Sequence, residues 1–175
     1  YTNETGVNNV FIGNQTGFEN TTGNGNTAIG TYALNANTTG FGNTALGLSA
    51  LTDNTSGIYN IAIGQSSLRL NTTGENNTAI GNFALVNNKT GNLNVAIGRS
   101  ALNSDTSSFA NTAVGAYSLY FNNSGDYNTS LGYQSLYANK IGRWNTAVGS
   151  ESLHSNTSGD QNAAHGSGAL YSNSE

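Results

Sequence analysis

Apolar and polar positions recur along this chain with a strict period of 17 residues. Each unit carries a short apolar triplet that ends in glycine, such as Ala28-Ile29-Gly30, and the glycine of this triplet occurs ten times, from Gly13 to Gly166. Leucine follows four residues later in nine copies, from Leu34 to Leu170. The unit is NTAIGxxALxxNTTGxx, repeated without insertion or deletion. So strict a period is typical of proteins in which each unit stacks on the next.

The unit predicts short strands and turns, because its glycines and asparagines would weaken a helix. We expect two strands in each unit, the TAI triplet and the segment that ends in Ala-Leu, and a turn at NTTG whose glycine supplies a positive φ. Alternation along a strand places Thr27 and Ile29 on one face and Ala28 on the other. The predicted fold is all-β: a parallel β-solenoid, or β-roll, with 17 residues per coil and about ten coils, in which residues 1–175 form one domain.

Two asparagine positions recur with the same period. Asparagine stands four residues before the triplet glycine in all ten copies, from Asn9 to Asn162, and seven residues after it in nine, with Asp105 as the exception. Equivalent residues of successive coils lie about 4.8 Å apart. Because an amide both donates and accepts, we expect each asparagine to bond its counterparts above and below. Eleven N-x-S/T sequons follow from this consensus.

The apolar content of one coil is small. If Ile29 and Leu34 point inward, each turn buries only two large apolar side chains, and we expect chains to associate in order to bury more. The opposite strand faces carry alanine or serine, including Ala79 and Ala113, which would let another chain approach closely. The alternative is that these residues are small because the coil is tight.

Composition and charge argue against nucleic-acid binding and membrane insertion. The chain has 23 Gly, no Pro, Cys or Met, and a net charge of −4, so it lacks the basic surface that nucleic-acid binding needs. No apolar run approaches the ~20 residues of a membrane span, so we expect no membrane insertion. Because the chain starts at Tyr1 rather than at Met, we expect a processed product or a piece of a longer protein.

Catalytic chemistry is not indicated. His154 falls at a variable outward position. His165 replaces the isoleucine of the triplet, which we expect to be a core position, in the last complete copy, and we expect it to mark a frayed or exposed end. No G-x-S-x-G motif or recurring carboxylate defines an active site. Asp126, Arg143 and Asp160 share a register and should form a surface ion-pair ladder. We therefore predict a protein that is not an enzyme and has no catalytic residue, metal or cofactor.

Aromatic residues are the candidates for contact with a partner. Fifteen of sixteen occupy positions that vary between copies, and half lie within residues 109–144. Such side chains could contact a cell-surface glycan or protein receptor, or else cover the rod and seal contacts between chains. The candidate contact residues are Tyr117, Tyr120, Tyr127, Tyr133, Tyr137 and Trp144. A shared register also predicts a ladder of Tyr120, Tyr137, His154 and Tyr171.

The segments NTAIGTYALNANTTG, NTALGLSALTDNTSG and NTAIGNFALVNNKTG resemble repeats of phage and giant-virus tail-fibre-like proteins and of bacterial surface proteins. They are also similar to the shorter AIG-containing repeats in the heads of trimeric autotransporter adhesins. This resemblance implies a left-handed β-roll that forms a homotrimer. It also implies an extracellular location, in a longer cell-surface or virion fibre that attaches to cells.

An ice-binding β-solenoid is the alternative function, because flat arrays of threonine can match a crystal surface. Six threonines, among them Thr27 and Thr112, share one register. Val10, Ile61 and Val95 interrupt that register, which suggests an inward position where threonine and valine are nearly isosteric. A second threonine register lies in the turn and is interrupted by Lys89, Asn123 and Lys140. We therefore expect no thermal hysteresis.

Overall fold

Ten three-residue strands, one in each coil, form a single parallel sheet in the computed structural model, which describes residues 3–174. Neighbours in sequence are neighbours in the sheet, and each pair is in register at a spacing of 17, as in Ala28 opposite Ala45. No helix occurs within residues 3–174. The predicted β-solenoid and its coil length are therefore confirmed. The strands are β1 Val10–Ile12, β2 Thr27–Ile29, β3 Thr44–Leu46, β4 Ile61–Ile63, β5 Thr78–Ile80, β6 Val95–Ile97, β7 Thr112–Val114, β8 Thr129–Leu131, β9 Thr146–Val148 and β10 Ala163–His165.

The segment that ends in Ala-Leu is a turn, and its prediction as a second strand is wrong. Leu34 has φ 51° and Tyr32 has φ 59°, both in the left-handed region. That conformation costs about 1–2 kcal/mol for a residue with a Cβ. It folds both Ala33 and Leu34 into the interior, where neither is exposed. Full burial of a leucine, at about 1.5–3 kcal/mol, offsets much of the cost of the turn.

The interior contains one row of leucines and two rows of small residues. Ala28 is fully buried, whereas Ile29 is 40% exposed, so leucine points inward as predicted and isoleucine does not. The expected packing of other chains against Ala79 and Ala113 is therefore wrong, since both are fully buried within their own chain. The alternative explanation holds: the leucine row already occupies the narrow interior and leaves room for little more than a methyl group opposite it.

Two rows of side chains on the outward side of the strands form a surface that we call the sheet face. Thr27 and Ile29 share this side, as alternation predicted, but it is the outer one. The prediction that the Thr27 row points inward is therefore wrong, and none of the twenty side chains is buried. Apart from His165, none is ionisable. The rows are Val10, Thr27, Thr44, Ile61, Thr78, Val95, Thr112, Thr129, Thr146 and Ala163, and Ile12, Ile29, Leu46, Ile63, Ile80, Ile97, Val114, Leu131, Val148 and His165.

The predicted asparagine ladders are confirmed, and both are buried except at their ends. In the first ladder, the Asn26 backbone N–H donates to Asn9 Oδ1 over 2.9 Å, and the Asn43 backbone N–H donates in turn to Asn26 Oδ1 over 2.9 Å. In the second, Asn37 Nδ2 donates to Asn20 Oδ1 over 2.7 Å, and Asn54 Nδ2 donates to Asn37 Oδ1 over 2.8 Å. Buried amides are thus satisfied by their counterparts in adjacent coils.

The two ladders meet at the glycine of the NTTG turn. Gly40 C=O accepts from Asn26 Nδ2 at 2.9 Å and from Asn37 Nδ2 at 3.0 Å. The prediction of a positive φ at this glycine is wrong, because that conformation belongs instead to the triplet glycine, as at Gly30 with φ +132°. Glycine is required at position 40 because a side chain does not fit there. A Cβ would collide with Asn37 Oδ1 and lie 2.5 Å from Gly57 O.

Substitution of Gly40 by alanine should therefore lower the free energy of unfolding by about 1–3 kcal/mol, the usual effect of overpacking. Gly25→Ala is the comparison, because a Cβ there meets nothing within 4 Å and the substitution adds only the strain of a left-handed φ of +63°, which Ala110 already has in the same register with φ 54°. Gly40→Ala should be the more destabilising of the two. Urea denaturation of both variants measures the difference. Equal destabilisation by the two substitutions would contradict the steric explanation.

Candidate functional site

The six aromatic candidates fall into two groups at opposite ends of the strands. Tyr133 follows the last residue of β8 by two positions, whereas Trp144 precedes the first residue of β9 by two. Ring contacts connect Tyr117 to both Tyr120 and Tyr133, and Tyr120 to Tyr137. Tyr127 contacts Trp144 instead. The 109–144 segment therefore presents two aromatic surfaces.

The predicted aromatic ladder is confirmed, and we call it the aromatic column: Tyr120, Tyr137, His154 and Tyr171. Successive ring centroids are 5.4, 5.1 and 4.7 Å apart, with interplanar angles of 15°, 13° and 3°. The spacing follows from the coil repeat, which places one ring above the next. His154 is half-buried between two tyrosine rings.

Three further residues widen the column. Phe121 packs edge-on against both Tyr120 and Tyr137, with centroid distances of 4.7 and 5.1 Å. Tyr117 lies 5.8 Å from Tyr120, and the Arg99 guanidinium lies over the Tyr117 ring at 5.8 Å. This position allows a cation–π contact. The result is a continuous aromatic surface with one positive charge.

Stacking determines what this surface offers to a partner. Within the column, the rings above and below cover the ring faces of Tyr137 and His154, which leaves the ring edges for a partner. Phe121 is 41% exposed and Tyr133 is 49% exposed, so these rings provide the most accessible apolar area. The surface therefore combines hydrogen-bonding phenols with accessible aromatic carbon, which suits the mixed polar and apolar faces of sugars and peptides.

The second group, which we call the corner stack, consists of Phe109, Tyr127 and Trp144. Tyr127 and Trp144 are nearly parallel, with 5.9 Å between centroids and 6° between planes, and Phe109 meets Tyr127 at 64°. Tyr127 is 48% exposed and Trp144 is 51% exposed. This stack is smaller than the surface around the aromatic column but equally accessible.

The predicted ion-pair ladder is only partly formed. Arg143 Nε lies 3.7 Å from Asp126 Oδ2, whereas Asp160 Oδ1 accepts from the Arg143 backbone N–H over 2.7 Å. The Arg143 side chain is 48% exposed, and such exposed pairs contribute about 0–1 kcal/mol. These charges fix a surface turn rather than define a site.

The remaining candidates do not converge on a reaction centre. His165 is exposed on the outer row of β10, so its predicted exposure is confirmed, whereas the prediction that its row lies in the core is wrong. Across residues 3–174, no three His, Cys, Asp or Glu side chains cluster closely enough to hold a metal ion, and the surface has no pocket. Nor does this part of the chain contain a helix long and apolar enough to cross a bilayer.

The repeated sequons coincide with the second asparagine ladder. Their side chains have no exposed surface, and their amide nitrogens donate to neighbouring asparagines and glycines. A glycan attached there would disrupt the ladder. The buried sequons of this ladder are Asn20, Asn37, Asn54, Asn71, Asn88, Asn122 and Asn156.

Comparison with known proteins finds no matching family model, curated protein or solved structure.

Two features of the outer surface escaped sequence reasoning. The hydrophobic pattern predicts that the sheet face points inward. The six threonines in one row and His165 in the other, which are polar, instead favour an exposed face. Phe121 and Arg99 were not placed beside the column because they occupy other registers than Tyr120. Only the turn conformation brings those registers together.

Proposed function

We propose that this chain is a structural and adhesive segment of an extracellular or virion fibre that contacts a cell surface, and that it binds rather than catalyses. The observation that carries the proposal is the division between a constant interior and a variable exterior. The buried leucine row and asparagine ladders repeat from coil to coil, while the aromatic residues outside them change. A repeated interior builds length, and a varied exterior offers contacts for recognition.

Self-association is part of this proposal, and the sheet face replaces the alanine rows as the contact surface. Its side chains are threonine and aliphatic residues, with Ile12 57% exposed and Leu131 45% exposed. A second copy of the chain is the partner we propose, because it carries the same uncharged rows at the same axial spacing. Rows of equal period can interdigitate along the whole rod. The family resemblance favours a homotrimer, in which three sheet faces would enclose a shared core.

Charges introduced on the sheet face should separate the chains. We expect the wild-type protein to sediment as a multiple of 18.1 kDa at micromolar concentration. Ile63→Lys with Ile97→Lys should yield a folded monomer, because association would bury the added charges. Ser56→Lys with Thr90→Lys is the matched control: it adds equal charge at exposed positions in the NTTG turn and should leave association unchanged.

Analytical ultracentrifugation distinguishes the outcomes, with circular dichroism as the check on folding. A folded wild-type monomer would contradict the self-association proposal. Loss of association in the control variant as well would show that added charge acts in general rather than at the sheet face.

Ice binding is the second candidate, because the threonine row is on the outside of a regular parallel sheet. However, Ile61 and Val95 interrupt the threonine row, and most residues of the adjoining Ile29 row are aliphatic. The sheet face is therefore more apolar than a regular array of hydroxyl groups. We therefore rank it below fibre assembly and expect no thermal hysteresis. Hysteresis of the wild-type monomer that Thr112→Tyr abolishes would reverse this ranking.

Receptor contact should depend on the aromatic column surface more than on the corner stack, because it presents more contiguous rings and a cation. The test uses two double variants. The first pair is Phe121→Ser combined with Tyr133→Ser, and the second pair is Tyr127→Ser combined with Trp144→Ser. The replaced side chains are similarly exposed in both pairs, and both pairs leave the aromatic column intact. On a glycan array and on whole cells, the first pair should weaken binding about tenfold, equivalent to 1.4 kcal/mol, and the second should have little effect. Unchanged binding in the first pair would refute this assignment.

A further inference from the structure

The turn at residues 105–108 departs from the repeat at two buried positions. Asp105 replaces the asparagine of the second ladder, and Ser108 replaces the glycine of the NTTG turn. Asp105 has no exposed surface, and Ser108 is 2% exposed. A buried carboxyl group in a ladder of neutral amides changes both the hydrogen bonds and the charge at this point of the rod.

The two replacements depend on each other. In a regular coil, a Cβ on the turn glycine would collide with the asparagine Oδ1 three residues earlier, as Gly40 would with Asn37. Asp105 avoids this collision by a different side-chain orientation. Its Oδ1 accepts the backbone N–H groups of Ser107 and Ser108 at 3.1 and 2.9 Å, and its Oδ2 accepts the Ser108 hydroxyl.

The asparagine ladder is interrupted on both sides of Asp105. In the preceding coil, Asn88 Nδ2 donates to Asn71 Oδ1 at 2.8 Å, but Asn88 Oδ1 is buried and has no hydrogen-bond partner. Every regular coil places an amide donor above that oxygen, whereas a carboxylate has no hydrogen to give. In the following coil, Asn122 Nδ2 keeps its bond to Gly125 C=O at 2.9 Å, but toward the coil of Asp105 it makes only a 3.4 Å contact with Ser108 Oγ.

Backbone bonds between coils are also diverted at this turn. In a regular coil, the N–H groups of Thr38, Thr39 and Gly40 all donate to Thr55 C=O of the next coil, over 2.9–3.3 Å. The equivalent N–H groups of Ser107 and Ser108 donate to Asp105 instead. The boundary between this coil and its successor therefore has fewer bonds than the regular boundaries.

We propose that Asp105 makes this turn a proton-responsive joint in the rod. When the carboxyl group is protonated, its hydroxyl can donate to Asn88 Oδ1 and restore the ladder bond to the preceding coil. When it is ionised, two acceptors meet at the boundary and the turn opens more readily. Acidification therefore stiffens the rod at this point, and neutral pH loosens it.

The electrostatic surroundings agree with this assignment. Burial raises the pKa of Asp105, the hydrogen bonds from Ser108 and Ser107 oppose that increase, and the Asp126 carboxylate adds to it. Lys89, beside Asn88 in the preceding coil, is exposed to solvent. A carboxyl pKa that is higher in the folded state than in the unfolded state stabilises the fold at low pH. That stability is lost as pH rises through the folded-state pKa.

Hydrogen exchange tests the joint directly. We measure amide protection factors, corrected for intrinsic exchange, at residues 106–108 and at the reference turn Thr38–Gly40, between about pH 4 and about pH 8. Protection at residues 106–108 should fall about tenfold as pH rises, the size of effect expected from the loss of one buried hydrogen bond, while the reference turn stays constant. Protection that does not change with pH at residues 106–108 would overturn the proposal.

Two variants assign the effect to Asp105. Asp105→Asn with Ser108→Gly restores the regular unit and should remove the pH response and raise protection to that of the reference turn. Asp126→Asn should keep the response but move it to lower pH, because it removes a negative charge that acts on Asp105. Persistence of the response in the double variant, or its loss in Asp126→Asn, would show that another group titrates.

Discussion

The structure depends on a glycine carbonyl that accepts two buried asparagine amides. Gly40 C=O binds Asn26 Nδ2 from the preceding part of the solenoid and Asn37 Nδ2 from its own turn. In the regular coils each amide is also bonded to its counterpart one coil away, so the two ladders are tied together at each regular turn. A one-residue insertion would displace both amides from the carbonyl. This explains why the repeat keeps a constant length.

The same arrangement accounts for the distribution of apolar residues. With asparagines at two corners of the coil, the interior accepts one leucine and two small residues, and the isoleucine of the triplet remains outside. A solenoid so thin leaves a long apolar sheet face in contact with water, which monomeric proteins rarely tolerate at this extent. Fibre assembly, as we propose it, would cover that face without any change to the interior.

The 17-residue period predicts many of the contacts between coils. A period of 17 made Tyr120, Tyr137 and His154 neighbours, and it made the asparagines into ladders, because equal coils convert sequence spacing directly into distance. The alternation of side chains along a strand places Ala28 on one face and Thr27 and Ile29 on the other, but it does not determine which face points into the coil. That choice depends on the width of the coil, which the left-handed turn at Leu34 determines.

The candidate site was predictable only in part for the same reason. Residues within one register were assigned correctly, whereas contacts between registers, such as Phe121 with Tyr137, require the path of the turn. The NTTG glycine is needed for a different reason than the predicted positive φ. Its role is to leave space for an amide in the coil interior, which involves a residue three positions away and a carbonyl in the next coil.

Exchange of the asparagine side-chain amides is the most direct test of the ladder as the main support of the fold. NMR would follow the Nδ2 protons of Asn54 and Asn71, which are buried, against those of Asn14, which is exposed. If the ladders hold the coils together, the buried amides should exchange as slowly as the backbone N–H groups of the strands. Exchange of Asn54 and Asn71 as fast as that of Asn14 would contradict the account.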